Sequence, residues 1–133
     1  MKLFLDDIRK PYDCFLYTKN EVYLKGDWLV VKNYDEFVKE LKRNKFELIS
    51  FDHDLAEEHY VPEFYWNDYV KSKEYQDSKK YKEKTGLNCA MFMCDYYKDN
   101  NLIFPKILIH SQNPVGKDNI KYYIENFLKH NEK

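Results

Sequence analysis

The sequence predicts an α/β fold: a parallel sheet of about four strands flanked by helices, forming a single domain over residues 1–133. Three observations lead there. The short apolar runs are nearly continuous rather than alternating, the pattern of strands covered on both faces. Amphipathic helical stretches follow the later runs, and strand–helix–strand units with right-handed crossovers build a parallel sheet. Finally, the runs of "LFLDDIRKP", "ISFDHDL" and "ILIHSQNPVG" each end in a burst of carboxylate, imidazole or amide side chains. Open α/β sheets bind their ligands beyond the carboxyl ends of their strands.

The elements follow in order. Lys2–Leu5 is the first strand and ends in Asp6 and Asp7. The connection from Arg9 to Asp27, bracketed by Pro11 and Gly26, has no clean helical stripe and is expected to be extended or irregular. Trp28–Lys32 is the second strand, rich enough in β-branched residues for a sheet interior. "NYDEFVKELKRN" then sets Tyr34, Phe37, Val38 and Leu41 on one helical stripe, with Asn33 as the cap and Glu36 three residues later. Leu48–Phe51 is the third strand and ends in Asp52, His53 and Asp54.

A long insert, about 56–84, precedes the penultimate helix. It is dense in Tyr, Lys and Glu with balanced charge, and helix is expected after Pro62. It reads as a solvated helical excursion; a lid stacking Tyr65 or Trp66 on a base is the alternative. After Gly86 a helical stripe of Leu87, Ala90, Met91, Cys94 and Tyr97 follows. Ile107–Ile109 is the fourth strand, ending in His110, Ser111, Gln112 and Asn113. The last helix carries Ile120, Tyr123, Ile124, Phe127 and Leu128. The aromatic residues of these stripes are core residues.

The bulk properties restrict the function. A formal net charge of -1 argues against a strong, sequence-independent grip on nucleic acid, while leaving room for a small nucleotide. No apolar stretch is long enough to span a membrane. With no apolar leader at the start, a cytoplasmic protein is expected. The 3 cysteines make no disulfide framework. Cys89 and Cys94 lie five apart, share no helix face well and lack zinc-ligand spacing; Cys94 is the one expected to be buried. Abundant Lys, Asn, Tyr and Phe with only 3 Gly suggest an AT-rich genome, bacterial or phage. The sequence leaves the oligomeric state open.

Converging strand ends would gather Asp6, Asp7, Asp52 and Asp54, which repel one another unless a cation, a basic group or a raised pKa neutralises them. Oxygen-rich clusters suit Mg²⁺ or Mn²⁺, and histidine tilts the choice toward Mn²⁺. His53 and His110 are the acid/base candidates. Arg9 is placed to pair with an acid or hold a phosphate, and Lys117 is a second cation nearby. Thr85, Gly86 and Asn88, at a helix entrance, are candidates for anion contact through backbone N–H groups. Simpler roles compete at single positions: Asp54 and Asn113 also suit turns and caps.

Together, "LFLDDIRKP", "WLVVKNYDEF", "ISFDHDL", "TGLNCA" and "IHSQNPVGKDNI" resemble the cyclic-phosphate-processing receiver-like family, a diverged form of the flavodoxin-like response-regulator receiver. The resemblance spans the chain apart from the insert and the first long connection. It implies a phosphoesterase acting on a cyclic nucleotide or on a 2′,3′-cyclic phosphate RNA end. Asp6 and Asp7 match a receiver's metal-binding acids, and Asp52 the neighbourhood of its phosphoacceptor. In this reading Asp6, Asp7 and Asp52 hold a divalent metal, and His53 or His110 moves the proton beside Asp52 and Asp54. Ser111, Asn113, Arg9, Thr85 and Lys117 hold the phosphate. The alternatives are a non-catalytic protein that sequesters a cyclic nucleotide and a phosphorylatable receiver. His53 and Asp54 crowding Asp52, and a missing helix after the first strand, weigh against the last.

Overall fold

A computed structural model gives the architecture and describes residues 1–56, 67–78 and 84–131. The chain runs β1 (Lys2–Leu5), α1 (Pro11–Thr18), a 3₁₀ turn (Glu21–Leu24), β2 (Trp28–Val31), α2 (Tyr34–Arg43), β3 (Leu48–Phe51), α3 (Tyr69–Ser78), α4 (Gly86–Asp99), β4 (Lys106–Ile109) and α5 (Pro114–His130). All strand pairs are parallel and the order is β2-β1-β3-β4. This is the flavodoxin-like order, and its switch point lies between β1 and β3. Among the described residues, no helix is long and apolar enough to cross a membrane.

The strands bury both faces. Leu3, Leu5, Ile49 and Phe51 pack with Phe37 of α2, Met93 of α4 and Ile120 of α5 in one core. Phe4 points the other way and packs with Cys14 of α1 and Tyr23 of the 3₁₀ turn. Successive side chains alternate across a strand, so one continuous apolar run feeds two cores. Asn33 caps α2 as expected, its Oδ1 accepting from the Glu36 amide at 2.9 Å.

Three expectations need correction. The first connection is helical: Pro11 starts α1 and Asp13 Oδ2 accepts from the Lys10 amide at 2.8 Å. Only Cys14 of that helix is fully buried, and Tyr12 and Leu16 are exposed, so no apolar stripe marks it. In α4 the buried stripe includes Cys89 and Met93, while Met91 is exposed; both Cys89 and Cys94 are in the core as free thiols. Gly86 sets that rotation, because its Cα lies hard against the Asp52 carbonyl: a Cβ there would stand 1.7 Å from the oxygen. In α5, Leu128 lies outward and Val115 and Gly116 are buried at the other end.

Within the insert, α3 begins at Tyr69, and its Tyr69 hydroxyl donates to Asp118 Oδ2 of α5 at 3.0 Å. The lid candidates Tyr65 and Trp66 lie outside the described residues, as does His59.

Candidate functional site

Register builds the site. Leu5 pairs with Phe51, and Phe51 with Ile109. The ladder runs one residue further: Asp52 N donates to Leu5 O at 3.0 Å and His110 N to Phe51 O at 2.9 Å. Asp6, Asp52 and His110 thus stand side by side beyond the strands. They continue the face of Phe4, Ser50 and Leu108, because side chains repeat every second residue.

Asp6 accepts from four donors. Its Oδ1 accepts from the amides of Ile8 at 2.9 Å and Arg9 at 2.8 Å. Its Oδ2 meets His110 Nε2 at 3.1 Å and Arg9 Nε at 3.3 Å. Burial pushes the Asp6 pKa up, but the hydrogen bonds from His110, Ile8 and Arg9 outweigh it and hold it below the usual carboxylate value.

Asp52 is the opposite case. Its Oδ1 accepts from the His53 amide at 2.9 Å and lies 3.8 Å from Arg9 Nη2. Its Oδ2 is buried with no hydrogen-bond partner among the described residues. Burial first, then the charge of Asp6, push the Asp52 pKa up to about 8 against the pull of Arg9. Burial works against the Arg9 charge, but Asp52 and Asp6 outweigh it and raise the guanidinium pKa. Tyr17 holds the other side of that group: Arg9 Nη1 donates to its hydroxyl at 3.0 Å, and the hydroxyl in turn donates to the His110 carbonyl.

An orphaned, buried carboxylate oxygen fits a divalent cation. Asp6, Asp7 and Asp52 can each offer one oxygen, all within 4.8 Å of one another, and Asp7 is only half-buried. Three oxygen donors suit Mg²⁺ or Mn²⁺. A second grouping, Asp6 with Cys14 and His110, fits poorly. Burial pushes the Cys14 thiol up to about 11, and both nitrogens of His110 are engaged inside the fold.

The second half of the site is a dyad. His53 Nδ1 lies 2.8 Å from Asp54 Oδ1, and Asn113 Nδ2 donates to both Asp54 oxygens, at 3.1 and 3.3 Å. The same Asn113 caps α5 by accepting from the Gly116 amide at 3.1 Å, so its cap role and its site role coexist. Asp54 accepts, so Nδ1 carries the proton, and no hydrogen bond to Nε2 is seen among the described residues. Gly116 allows the ring to lie on α5, since a Cβ there would stand 2.3 Å from His53 Cγ.

This arrangement, with two acids ending β1, a DHD motif ending β3 and an HSQN segment ending β4, matches a family model described as the cyclic-phosphate processing receiver domain, over residues 1–126. The chain belongs to this family. No curated protein and no solved structure matches it significantly.

The remaining sequence-derived candidates divide. Ser111 is buried beside the site, its Oγ accepting from the Asn113 amide at 3.2 Å. Lys117 is exposed on the first turns of α5. The helix entrance at Thr85 is already committed within the fold. Asn88 Oδ1 accepts from the Thr85 amide and hydroxyl, at 2.8 and 3.2 Å, and the Gly86 amide donates to His53 O at 2.8 Å. Those groups brace the β3 end rather than face a ligand.

Sequence reasoning missed Tyr17, Tyr23 and Ser50. Ser50 did carry a signal, a hydroxyl inside the apolar run "LISF". The two tyrosines carried none, because they sit in the connection whose helix the sequence hides.

Proposed function

We propose that this domain is a metal-dependent phosphoesterase that opens a cyclic phosphate, on a cyclic nucleotide or a 2′,3′-cyclic RNA end. The observation that carries the reading is the unpartnered, buried Oδ2 of Asp52 inside the Asp6–Asp7–Asp52 cluster, next to a histidine oriented through one nitrogen with the other free among the described residues. Asp6, Asp7 and Asp52 would hold Mg²⁺ or Mn²⁺. When bound, such an ion neutralises phosphoryl oxygens and makes water more acidic.

The chain's own residues supply the rest. Asp54, clamped by Asn113, fixes the His53 ring, so that Nε2 accepts a proton from the attacking water. Water adds to phosphorus and one ring P–O bond breaks. The leaving oxygen takes the proton from His53, so the histidine ends the turnover as it began. Arg9, tethered by Tyr17, and Lys117 offer positive charge to the non-bridging oxygens, with Ser111 as a neutral neighbour. His110 has no nitrogen left for this chemistry and serves to hold Asp6.

A turnover screen tests the reading. Cyclic mononucleotides, cyclic dinucleotides and RNA with a 2′,3′-cyclic end are offered with Mg²⁺, Mn²⁺ or chelator, to wild type and Asp52→Asn. Metal-dependent ring opening of one substrate is expected, falling at least about 100-fold in the variant. A ligand retained intact, with no turnover under any metal, would instead favour a sequestering protein.

A further inference from the structure

His110 is held by a line of hydroxyls with a fixed direction. Its Nδ1 lies 2.7 Å from Ser50 Oγ, and Ser50 Oγ lies 2.7 Å from the Tyr23 hydroxyl. All three side chains are buried, and Phe4 stacks flat on the imidazole at 4.4 Å. The partners at the two ends dictate where each proton sits. Asp6 Oδ2 is an acceptor already facing Arg9, so His110 Nε2 must carry a proton and donate. At the far end Tyr23 has no acceptor among the described residues besides Ser50. Were Nδ1 also to donate, both hydroxyl protons would have to pass outward to a group that is not there. Tyr23 therefore donates to Ser50, Ser50 donates to Nδ1, and Nε2–H donates to Asp6.

We propose that Tyr23 and Ser50 are positioning residues of the site: they lock His110 in the Nε2–H tautomer, which fixes the Asp6 carboxylate as a ready-made metal ligand. The lock is indirect, since neither hydroxyl reaches the acid cluster. It works as outer-shell partners do, by orienting a ligand and keeping it an acceptor. Its consequence for metal rests on the proposed function; its consequence for the tautomer does not. The source of the lock is also distinctive. The 3₁₀ turn supplies Tyr23, β3 supplies Ser50 and the residue after β4 is His110, so three other parts of the fold bear on the carboxylate that follows β1.

The test uses the full chain as wild type, Ser50→Ala and Tyr23→Phe. Both changes only remove a hydroxyl, and thermal unfolding checks that each variant folds. ¹⁵N NMR of the histidine side chains, in chelator, reads the tautomer and the hydrogen bond at Nδ1. Mn²⁺ titration followed by electron paramagnetic resonance reads affinity. Wild type should carry the His110 proton on Nε2 with Nδ1 hydrogen-bonded. Ser50→Ala should lose that hydrogen-bond signature and bind Mn²⁺ about tenfold more weakly or worse. Tyr23→Phe should shift both readouts the same way by less.

A wild-type proton on Nδ1, or His110 resonances unchanged in both variants, overturns the lock. An altered tautomer with unchanged Mn²⁺ affinity overturns its link to the metal. If Ser50→Ala does not fold, Tyr23→Phe decides by the same signs. If wild type binds no Mn²⁺, the proposed function fails, and the NMR measurement still decides the lock.

Discussion

Asp6 and Asp52 follow adjacent parallel strands at the same register level, yet the fold treats them in opposite ways. Asp6 faces four donors from Ile8, Arg9 and His110 and is held ionised. Asp52 has a single amide, a distant guanidinium and one oxygen with nothing to accept from among the described residues. Burial is nearly total for both, so burial does not separate them. Donor count does. A carboxylate well supplied with donors is held charged and in place inside a protein, and one short of them gains from a cation. The β1 end is therefore ionised and oriented by the fold itself, and the β3 end is where a cation or ligand has most to contribute.

The comparison can be broken most severely at Gly86. Ala at that position would drive a Cβ into the Asp52 carbonyl, with backbone on both sides and no flexible side chain to yield. Chemical denaturation should show a loss of about 3 kcal/mol or more. A near-neutral Gly86→Ala would mean that α4 does not clamp the β3 end as tightly as its geometry requires.

The next contrast is of sign. Asp6→Asn turns an acceptor into a donor opposite His110 Nε2–H or Arg9 and should cost about 2 kcal/mol in metal-free protein. Asp52→Asn removes a buried, poorly solvated charge and should stabilise the metal-free protein at pH 9 by about 1–2 kcal/mol. Equal destabilisation by the two changes would refute the difference in donor supply.

The smallest effect per pH unit is a slope. The Asp52 pKa is raised from 3.8 to about 8, so the folded state binds this proton more tightly than the unfolded one. Its contribution to stability is full below the unfolded value and is lost as pH rises through the folded one. Metal-free stability should thus decline across that window, by at most about 1.4 kcal/mol per pH unit. Asp6 behaves inversely: its lowered pKa adds stability that disappears only in acid, as pH falls through the folded value. Denaturation midpoints in chelator from pH 5 to 9 should show the Asp52 decline. Asp52→Asn should flatten it, and added Mn²⁺ should reverse it by taking the proton's place.

Much of this was legible in the sequence. β1 and β3 were bounded correctly from their apolar runs alone, and β2 and β4 to within one residue. A short, nearly continuous apolar run before a cluster of acids has few other ways to fold. The acids of the candidate cluster and the His53–Asp54 pair were legible too, since a strand end fixes where its next residues emerge. The helix α1 was hidden because it buries only Cys14 fully, with Phe15 half-buried beside it, and leaves Tyr12 and Leu16 exposed. With that helix went Tyr17, and with the adjoining turn went Tyr23.

Local pattern thus carried the strands, the helices after β2 and β4, and the chemistry available at each strand end. Only the tertiary structure decided what each group became. The order β2-β1-β3-β4 set Asp6 beside Asp52, and a contact across 104 residues of chain put His110 on Asp6. Asp6 draws three of its four donors from Ile8 and Arg9 close by in the chain and the fourth from His110, whereas Asp52 receives one amide and lies beside the charge of Asp6. No local pattern records that His110 reaches Asp6 or that the two carboxylates meet.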